Sequence, residues 1–571
     1  MLNYIIFAVL IALVLFGLTF DRNYWVPSLI VSVIVGLLGL AFNYFVLPVF
    51  AWGYWGIWFE ILLTAIIGMI YGVSIEEGGI TLRSGIATGV VALFMIGFAF
   101  FSGEMVNSKK YNERLGNVEM VTDGEFNSDV HPIPISKMRS VDGALARKVA
   151  EDKLGEDAGL GSRAQVGNMT IQNLTGEFVI NNGQTLKFEN DLIWVAPLEH
   201  RSFWKWLSND VTPGYIIVDA TDATKRYLVT ELNGKPLQLK YIESGVFNDD
   251  IERHIRLSGY TSTGLYDHCF EIDPNGNPYW VVSKYHKAIG FYAEEPDGVI
   301  TIDVQTGEIN SYGIEDTPAW IDRIQPQEFI EDQIRCWGEY KDGWWNSCFA
   351  EIGVQKPTEG MTLVYSEGKS FWYTGIKSSG ADNGTNGFML VDTRTKEARF
   401  YHIAGVNETE AMRIAQDQPF SKAAGYHADF PVLYNVRGIP TYFMTMKGSS
   451  GNIVGYCFVA VNNRQATGSG VSKKQAEDAY LQMIKRTFED VLTDDKVKSE
   501  EHTFTVRGIV QENNIYYILF NEERGVEFTG TTEFYPELKW TRQGHRVKVT
   551  YDRGDGTIIP LESFDNLNVE I

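Results

Sequence analysis

Four long apolar stretches fill the first hundred residues, and they constrain the fold of this chain more than any other feature. Each is long enough for a helix to cross the hydrocarbon core of a bilayer, which takes about 20 residues. The first lacks the basic segment and the small-residue cleavage site of a signal peptide. We therefore predict four transmembrane helices within residues 1–102, over the stretches 2–20, 26–45, 54–73 and 85–101.

The basic residues around these spans do not fix the orientation. An even number of spans places the N-terminus and everything after the fourth span on the same side. Arg22 and Arg83 lie on the opposite side, whereas Lys109, Lys110 and Arg114 follow the last span. Basic residues favour the cytoplasmic side, and here the two sides are nearly balanced.

Glu60 is the only charged residue within the predicted spans. An ionisable group at bilayer depth is by default a functional candidate, so a channel or transporter component is one alternative function. The nearby Trp55 and Trp58 suggest a position near the membrane interface, where a carboxylate is tolerated. Four short spans with one acidic side chain make a poor conduction pathway.

A strand–turn–strand pattern occurs three times in the rest of the chain. In "GVITIDVQTGEI" the first strand ends at Asp303, and the same pattern places Asp219 and Asp392 at intervals of 84 and 89 residues. A strand with a tryptophan precedes each hairpin, and a helix precedes each of these strands. The tryptophans are Trp194, Trp280 and Trp372. A degenerate fourth copy begins with a helix at Asn407, where Glu410 has the spacing of a capping box.

The fold class predicted from this pattern is an α-helical membrane region, then α+β repeat modules, then a small all-β barrel. Each module would be a helix with antiparallel hairpins, and stacked modules would share a core. The predicted divisions are the spans (1–102), a linker (103–139), repeats 1 to 4 (140–240, 241–324, 325–404, 405–470), a helix with a linker (471–499) and the barrel (500–571).

The hairpin aspartates are interpreted as turn residues. A carboxylate at a strand end accepts hydrogen bonds from the amides of the following turn, and a glycine such as Gly307 takes a left-handed conformation. Repeat 1 lacks this turn glycine, and repeat 3 has Lys396 in its place. The structural role outweighs a metal or catalytic role for Asp219, Asp303 and Asp392.

A helix, an aromatic strand and a "VDxxTGE"-type hairpin together resemble the PepSY-like module, over about residues 140–465. The resemblance implies non-catalytic modules outside the cytoplasm that bind or inhibit partners at the cell envelope. It therefore favours an extracytoplasmic location for the region after the spans.

The C-terminal part is predicted to be an amphipathic helix over 471–492, a charged linker and five short strands. These strands resemble an OB-like barrel, a fold that often stacks bases on exposed aromatics. Tyr516, Tyr517 and Phe520 are the candidate stacking residues. However, residues 500–571 contain 7 basic and 13 acidic residues, and the whole chain has a net charge of −23. This charge excludes nucleic acid as an expected partner.

The segment "RCWGEYKDGWWNSCF" contains the candidate binding residues Trp337, Trp344 and Trp345. Exposed tryptophans anchor partners or stack on sugars, and buried ones fill cores between repeats. Cys336 and Cys348 flank this segment. They form a possible disulfide in an oxidising compartment, or they remain free thiols.

No catalytic, cofactor or metal motif occurs in the sequence. The phosphate loop, the dinucleotide fingerprint, GxSxG and HExxH are absent, and the nine histidines are scattered. We therefore expect a multi-pass membrane protein that binds or scaffolds an envelope partner, without catalysis or cofactor, and a homo-oligomer is one possible assembly. An envelope hydrolase acting on glycan or peptide stays an alternative, because carboxylates brought together by folding leave no sequence signature.

Overall fold

The computed structural model describes residues 1–121, 126–366, 368–380, 384–422, 424–487, 500–512, 515–532, 535–551 and 558–569. The four apolar stretches are confirmed as helices long and apolar enough to cross a membrane. The fourth helix begins seven residues earlier than the sequence predicted. The helices are α1 (Leu2–Thr19), α2 (Trp25–Val46), α3 (Trp55–Ser74) and α4 (Gly78–Ser102).

Small residues bring these four helices close together. A Cβ atom on Gly36 of α2 would lie 2.9 Å from the Cβ atom of Ala12 in α1. A Cβ atom on Gly68 of α3 would lie 2.7 Å from Ser84 Oγ in α4. Close backbone approach is the usual basis of helix association in apolar surroundings, so these glycines position the bundle.

The first sheet follows a short connecting region and has the strand order β6-β5-β4-β3-β7-β8, with β2 paired to β4. Asp142 caps α7 by accepting hydrogen bonds from the amides of Ala144 and Leu145. The elements are α5 (Glu104–Asn112), β1 (Val118–Val121), α6 (Phe126–Asp129), α7 (Gly143–Gly155), α8 (Ala158–Gly161), β2 (Ala164–Val166), β3 (Thr170–Ile180), β4 (Gln184–His200), α9 (Phe203–Ser208), β5 (Tyr215–Asp219), β6 (Arg226–Val229), β7 (Glu231–Leu232) and β8 (Lys235–Pro236).

The second sheet is a four-stranded antiparallel meander, β12-β11-β10-β9. The third has the order β1-β18-β17-β15-β13, with β14 on β15, and β1 joins it in parallel. The elements are α10 (Ile251–Leu257), β9 (Gly264–Ile272), β10 (Pro278–Ile289), β11 (Tyr292–Asp303), β12 (Ile309–Tyr312), α11 (Gln327–Glu339), α12 (Gly343–Trp345), β13 (Gln355–Pro357), β14 (Thr362–Ser366), β15 (Lys369–Ser378), β16 (Gly384–Thr385), β17 (Gly387–Asp392), β18 (Ala398–Tyr401) and β19 (Gly405–Val406).

The fourth sheet is again an antiparallel meander, β20-β21-β22-β23, and α15 packs on it through Ala476, Tyr480 and Ile484. The last part of the predicted 471–492 helix and the charged linker lie outside the described residues. The elements are α13 (Glu408–Asp417), α14 (Pro419–Lys422), β20 (His427–Val436), β21 (Ile439–Lys447), β22 (Ile453–Ala460), β23 (Thr467–Gly470) and α15 (Lys473–Thr487).

The C-terminal strands form a closed five-stranded barrel in the order β24-β25-β26-β28-β27, in which β26 and β28 are parallel. Its interior is filled by Phe504, Phe520 and Phe528. A 3-10 helix, Pro536–Trp540, contributes Leu538 to the same core. The strands are β24 (Glu500–Glu512), β25 (Ile515–Phe520), β26 (Glu527–Thr531), β27 (Arg546–Tyr551) and β28 (Ile558–Asn566).

The apolar cores cross from one sheet to the next. One core combines the first and second sheets, for example through Ile217 and Ile302. Another combines the first and third sheets, and a further one combines the third and fourth. Because these cores are shared, neighbouring sheets depend on each other for burial.

The second sheet also rests on the ends of the apolar helices. The Phe50 amide donates to the Thr261 carbonyl at 2.7 Å, and the Asn3 side chain donates to Thr261 Oγ1 at 2.7 Å. Trp55 stacks on Phe291 with 4.1 Å between ring centroids. Phe98, near the end of α4, also packs on Phe291 with 4.6 Å between ring centroids. These contacts place the start of α1, the α2–α3 connection and the end of α4 on one side of the bundle.

Candidate functional site

The three hairpin aspartates bind the backbone amides of their own turns. In each hairpin Oδ1 accepts two amide hydrogen bonds, at 2.7 to 3.2 Å. Asp219 accepts from Thr221 and Asp222, Asp303 from Gln305 and Thr306, and Asp392 from Arg394 and Thr395. Since these oxygens are engaged within the turn, the geometry favours a structural role.

Lys396 takes the left-handed conformation that Gly307 takes in the preceding hairpin. The φ angles are 67° for Lys396 and 75° for Gly307. A lysine rarely adopts this region. Its ammonium group is held by the Arg114 carbonyl at 3.0 Å and by an ion pair with Glu295, so the side chain ties the turn to two other segments.

The three hairpin tryptophans make matching hydrogen bonds. Each pairs in register with the residue before the hairpin aspartate. The indole nitrogens donate to backbone carbonyls at 2.8 to 2.9 Å: Trp194 to Val141, Trp280 to Tyr241 and Trp372 to Gln325. The amides of these three acceptor residues donate in turn to Ala220, Val304 and Thr393, the residues that follow the aspartates.

In the fourth sheet a tyrosine stands where the other three have tryptophan. Tyr442 pairs in register with Val459, and its hydroxyl donates to the Val406 carbonyl at 3.4 Å. The Val406 amide donates to the Val461 carbonyl at 2.9 Å. The bonding pattern around the missing tryptophan is therefore retained in this sheet.

The three candidate binding tryptophans have different surroundings. Trp337 is half-buried against Phe400, and Trp344 packs against the cluster around Tyr111. Trp345 is 61% exposed and stacks on Phe349. Only Trp345 is therefore free for an external contact.

All four cysteines, each in a described part of the chain, carry free thiols. Cys336 is buried on α11, and Cys348 is exposed in the turn after α12, so the structure does not form the possible disulfide between them. Burial raises the pKa of the Cys336 thiol to about 12. The alternative of two free thiols matches this arrangement.

The candidate stacking residues Tyr516 and Tyr517 lie on β25, and both are half-buried. Tyr516 packs against the barrel core. Their rings therefore do not form an open stacking platform like that of a nucleic-acid-binding barrel.

A polar cleft of about 370 Å³ combines four segments that are distant in sequence. Arg147 and Glu151 of α7 form one wall, Glu199 at the end of β4 forms the floor, and Glu243 and Ser244 come from the segment before α10. The remaining lining comes from residues 165–168. Sequence analysis missed this site because no two of these segments form a motif.

Gly167 allows the floor of the cleft to form. A Cβ atom there would lie 2.9 Å from Glu199 Cγ and 2.9 Å from Pro197 Cγ. The Gly167 carbonyl accepts a hydrogen bond from Arg147 at 3.0 Å, and the Gly167 amide donates to Pro197 at 2.9 Å. This close approach brings the backbone at Gly167 against the end of β4, where Glu199 lies.

Glu199 is the most perturbed group of the cleft. One oxygen, Oε2, accepts hydrogen bonds from the Ser244 amide at 2.8 Å and from the Ser244 hydroxyl. The other, Oε1, is buried and has no hydrogen-bond partner among the described residues. Burial raises the pKa of Glu199 to about 7. The group can therefore exchange a proton near neutral pH.

Glu243 is the second perturbed carboxyl of the cleft. Asn168 donates a hydrogen bond to it at 2.8 Å. Desolvation raises its pKa above the ordinary value, and its charge in turn contributes to the raised pKa of Glu199. With Glu151 at the rim, the cleft has three carboxyl groups and one guanidinium, so it favours a ligand with donor or cationic groups.

A second set of buried charges lies where the segment before α11 meets β9 of the second sheet and β3 of the first. Glu271 is fully buried, and Arg323 approaches it to 3.7 Å without a hydrogen bond. Burial raises the pKa of Glu271 to about 8 and that of Asp322 to about 6. Asp322 accepts from the Asn173 amide of β3, so the segment before α11 is bonded to the first sheet.

Among the described residues, the possible metal-ligand atoms of Glu104, Asp332 and Cys336 lie within 4.8 Å of one another. Arg335 already pairs with both carboxylates, at 2.5 Å to Glu104 and 2.6 Å to Asp332. Arg114 adds a further pair to Asp332 at 2.7 Å. These guanidinium groups balance the charge of the two carboxylates, and the Arg335–Glu104 pair joins α11 to α5.

No protein-family model matches the chain, and no curated protein matches it. Among solved structures, a GH43_1 enzyme from Xanthomonas citri is similar at 11% identity, over 53% of this chain and 74% of that chain, with a TM-score of 0.12. The sialidase of Trypanosoma rangeli in complex with sialic acid is similar at 9% identity, over 62% of this chain and 56% of that chain, with a TM-score of 0.14. Likenesses this weak carry no argument about fold or function.

Proposed function

We propose that this protein is a multi-pass membrane-anchored binding protein whose region 140–470 is an array of four α+β repeats. The matching hydrogen bonds of Trp194, Trp280 and Trp372 support this proposal, because they link equivalent strands, turns and connecting segments. The cores shared between neighbouring sheets also support it, since repeats stabilise one another through their interfaces.

The finer assignments belong to the same proposal. A PepSY-like module accounts for the order of helix, aromatic strand and aspartate hairpin. An OB-like barrel accounts for the closed five-stranded order with one parallel pair. With PepSY-like modules, the array lies outside the cytoplasm and faces a protein or another envelope partner.

The ligand-binding site in this proposal is the cleft above Glu199, and the unpartnered Oε1 atom is the observation that carries it. A buried carboxyl oxygen without a hydrogen bond is unfavourable, and a ligand that donates to it removes this penalty. The acidic lining favours an ammonium, guanidinium or polyhydroxyl group on the partner. A cationic ligand would bind the ionised form of Glu199, so the affinity of the protein for such a ligand rises as the pH rises through about 7.

A photo-crosslinking amino acid placed at Gln165 in the full-length membrane protein tests this proposal. Gln165 is exposed and lines the cleft, whereas Thr185 is exposed at the end of the β3–β4 hairpin outside it. We expect adducts from position 165 and none from position 185 in intact cells. Glu199→Gln should reduce the adduct about tenfold, which corresponds to the loss of one charged hydrogen bond of about 1.5 kcal/mol.

Two outcomes contradict binding at the cleft. The first is the absence of any adduct from Gln165 while the protein is folded and in the membrane. The second is an adduct whose yield does not change in Glu199→Gln, because the carboxyl would then not contribute to recognition.

A hydrolase is the second candidate, and a specific observation favours it. Glu199 and Glu243 share one cleft, and the pKa of each is raised, as for a general acid. Hydrolysis of a glycan also requires the other carboxyl to be ionised as a base or nucleophile. If the unsubstituted protein hydrolyses a ligand and both Glu199→Gln and Glu243→Gln lose this activity, the protein is a hydrolase and not a binding protein alone.

A further inference from the structure

Two clusters of large apolar side chains are exposed on the extramembrane part of the protein. The first aromatic surface consists of Phe203, Trp204 and Leu207 of α9 together with Phe247. The second aromatic surface consists of Trp345, Phe349 and Ile352, in and after α12. Trp204 is 73% exposed and Phe349 is 74% exposed, although side chains of this size are usually covered.

The first aromatic surface lies beside the end of α2. Asn248, next to Phe247, accepts a hydrogen bond from the Tyr44 hydroxyl at 3.3 Å. Arg253 donates to the Tyr44 carbonyl at 3.1 Å, and its guanidinium lies 4.9 Å from the Tyr44 ring. Trp206 of α9 contacts Phe247, which connects the helix to this position. The surface is thus fixed to the last turn of an apolar helix.

Phe247 is also held in an unusual backbone conformation. Its φ angle is 55°, a region that an aromatic residue rarely adopts, and its side chain is exposed. Such conformations persist only where neighbouring contacts impose them, and they concentrate at functional positions. Here the Phe247 carbonyl accepts a hydrogen bond from Arg253 at 2.7 Å, and Arg253 also contacts Tyr44.

The second aromatic surface lies beside the end of α4. The connecting helix α5 begins two residues after α4 ends, and the Tyr111 hydroxyl donates to the Ser102 carbonyl at 2.9 Å. Trp344 packs against the cluster that contains Tyr111. Asn112 donates to the Trp337 carbonyl at 2.6 Å, so α11 and the turn after it stay next to the helix end.

We propose that both aromatic surfaces insert into the headgroup region of the bilayer, in the leaflet where α2 and α4 end. Tryptophan is favoured at this depth, because its apolar ring carries a polar N–H group. Phenylalanine and leucine form the apolar face of segments that lie in the membrane interface. The exposed Lys109, Lys205 and Lys341 stand next to the two surfaces and suit anionic headgroups. The repeat array is then held against the membrane at two points.

The exposed thiol of Cys348 gives a direct test, because it lies within the second surface and the other three cysteines are buried. The full-length protein, labelled at Cys348 with an environment-sensitive fluorophore, is reconstituted in phosphatidylcholine vesicles containing phosphatidylserine. Lipids with a nitroxide near the headgroup should quench this label about threefold more than a label in water. Ser208→Cys in a Cys348→Ser background, at the end of α9, should show the same quenching.

Ser450→Cys in the Cys348→Ser background is the matched control. Ser450 is exposed in the turn between β21 and β22, and the described residues of the fourth sheet have no hydrogen bond to α1–α4. Equal quenching at positions 348, 208 and 450 would overturn the proposal. A label at Cys348 that is shielded from water but not quenched by lipid would also overturn it, because a protein would then cover the surface.

Discussion

Replacing Glu199 by glutamine is expected to stabilise the protein, and the gain should grow as the pH rises. Glutamine has the shape of the protonated carboxyl group. Its amide oxygen can still accept from the Ser244 amide and hydroxyl, and the amide nitrogen takes the place of the unpartnered Oε1. The substitution therefore removes the ability to ionise and leaves the packing unchanged.

The magnitude follows from the pKa of Glu199, which is about 7 in the folded protein against an ordinary value of 4.5. The folded state binds this proton more tightly than the unfolded state. The stabilisation of the folded state by this bound proton is thus complete below about pH 4.5 and is lost as the pH rises through about 7. The total loss is about 3 kcal/mol, and about 2 kcal/mol of it falls between pH 5 and pH 8.

Denaturant unfolding of the full-length protein in nanodiscs, followed by tryptophan fluorescence, measures this difference. Between pH 5 and pH 8, the free energy of unfolding of Glu199→Gln should rise by about 2 kcal/mol relative to that of the unsubstituted protein. The exposed Glu177 provides the control, and Glu177→Gln should show no such pH dependence. If the unsubstituted protein instead gains stability relative to Glu199→Gln as the pH rises, Glu199 is ionised and well paired, and the reasoning is refuted.

Two further substitutions and one chemical modification test the fold. Trp280→Phe should lower the free energy of unfolding by about 2 to 3 kcal/mol, because it leaves a cavity and an unpaired Tyr241 carbonyl, as a denaturant titration would show. Asp303→Ala should lower it by about 1 to 2 kcal/mol in the same titration, because two turn amides lose their acceptor. Maleimide should modify Cys348 first and reach Cys457 only after denaturation, as intact mass would show, because burial raises the pKa of Cys457 to about 12.

Each of these expectations has a control on the same chain. Trp345→Phe changes an exposed ring, and Glu308→Ala changes an exposed residue of the same hairpin as Asp303, so both should shift the stability by less than about 0.5 kcal/mol. Equal effects of Trp280→Phe and Trp345→Phe would contradict the buried indole bond. Modification of more than one thiol in the folded protein would contradict the burial of the other cysteines.

The apolar helices and the hairpins could be predicted from sequence because their signals are local. A span such as Leu2–Thr19 is apolar throughout, and a strand that ends at Asp303 carries its turn residues beside it. The start of α4 at Gly78 was missed, because the polar residues of its first turns precede the apolar stretch. Helix boundaries depend on capping, which Glu77 provides here through the Gly79 amide.

The cleft could not be predicted, because its residues meet only through tertiary packing. Glu199 ends a long strand, and Glu243 follows 44 residues later in an irregular segment. The raised pKa of Glu199 arises from burial, and no local pattern encodes burial at that position. The burial of Trp337 and Trp345 could not be predicted for the same reason. The two residues lie within one stretch of nine residues, yet Trp337 is half-buried and Trp345 is exposed.

The central claim, binding at the cleft without turnover, is tested most directly by the mass of the captured partner. The partner identified through the crosslinker at Gln165 is purified and incubated with the full-length protein in nanodiscs, and its intact mass is measured. We predict an unchanged mass, with binding that weakens in Glu199→Gln. A partner that the unsubstituted protein cleaves and Glu199→Gln leaves intact would contradict the claim and make the cleft an active site.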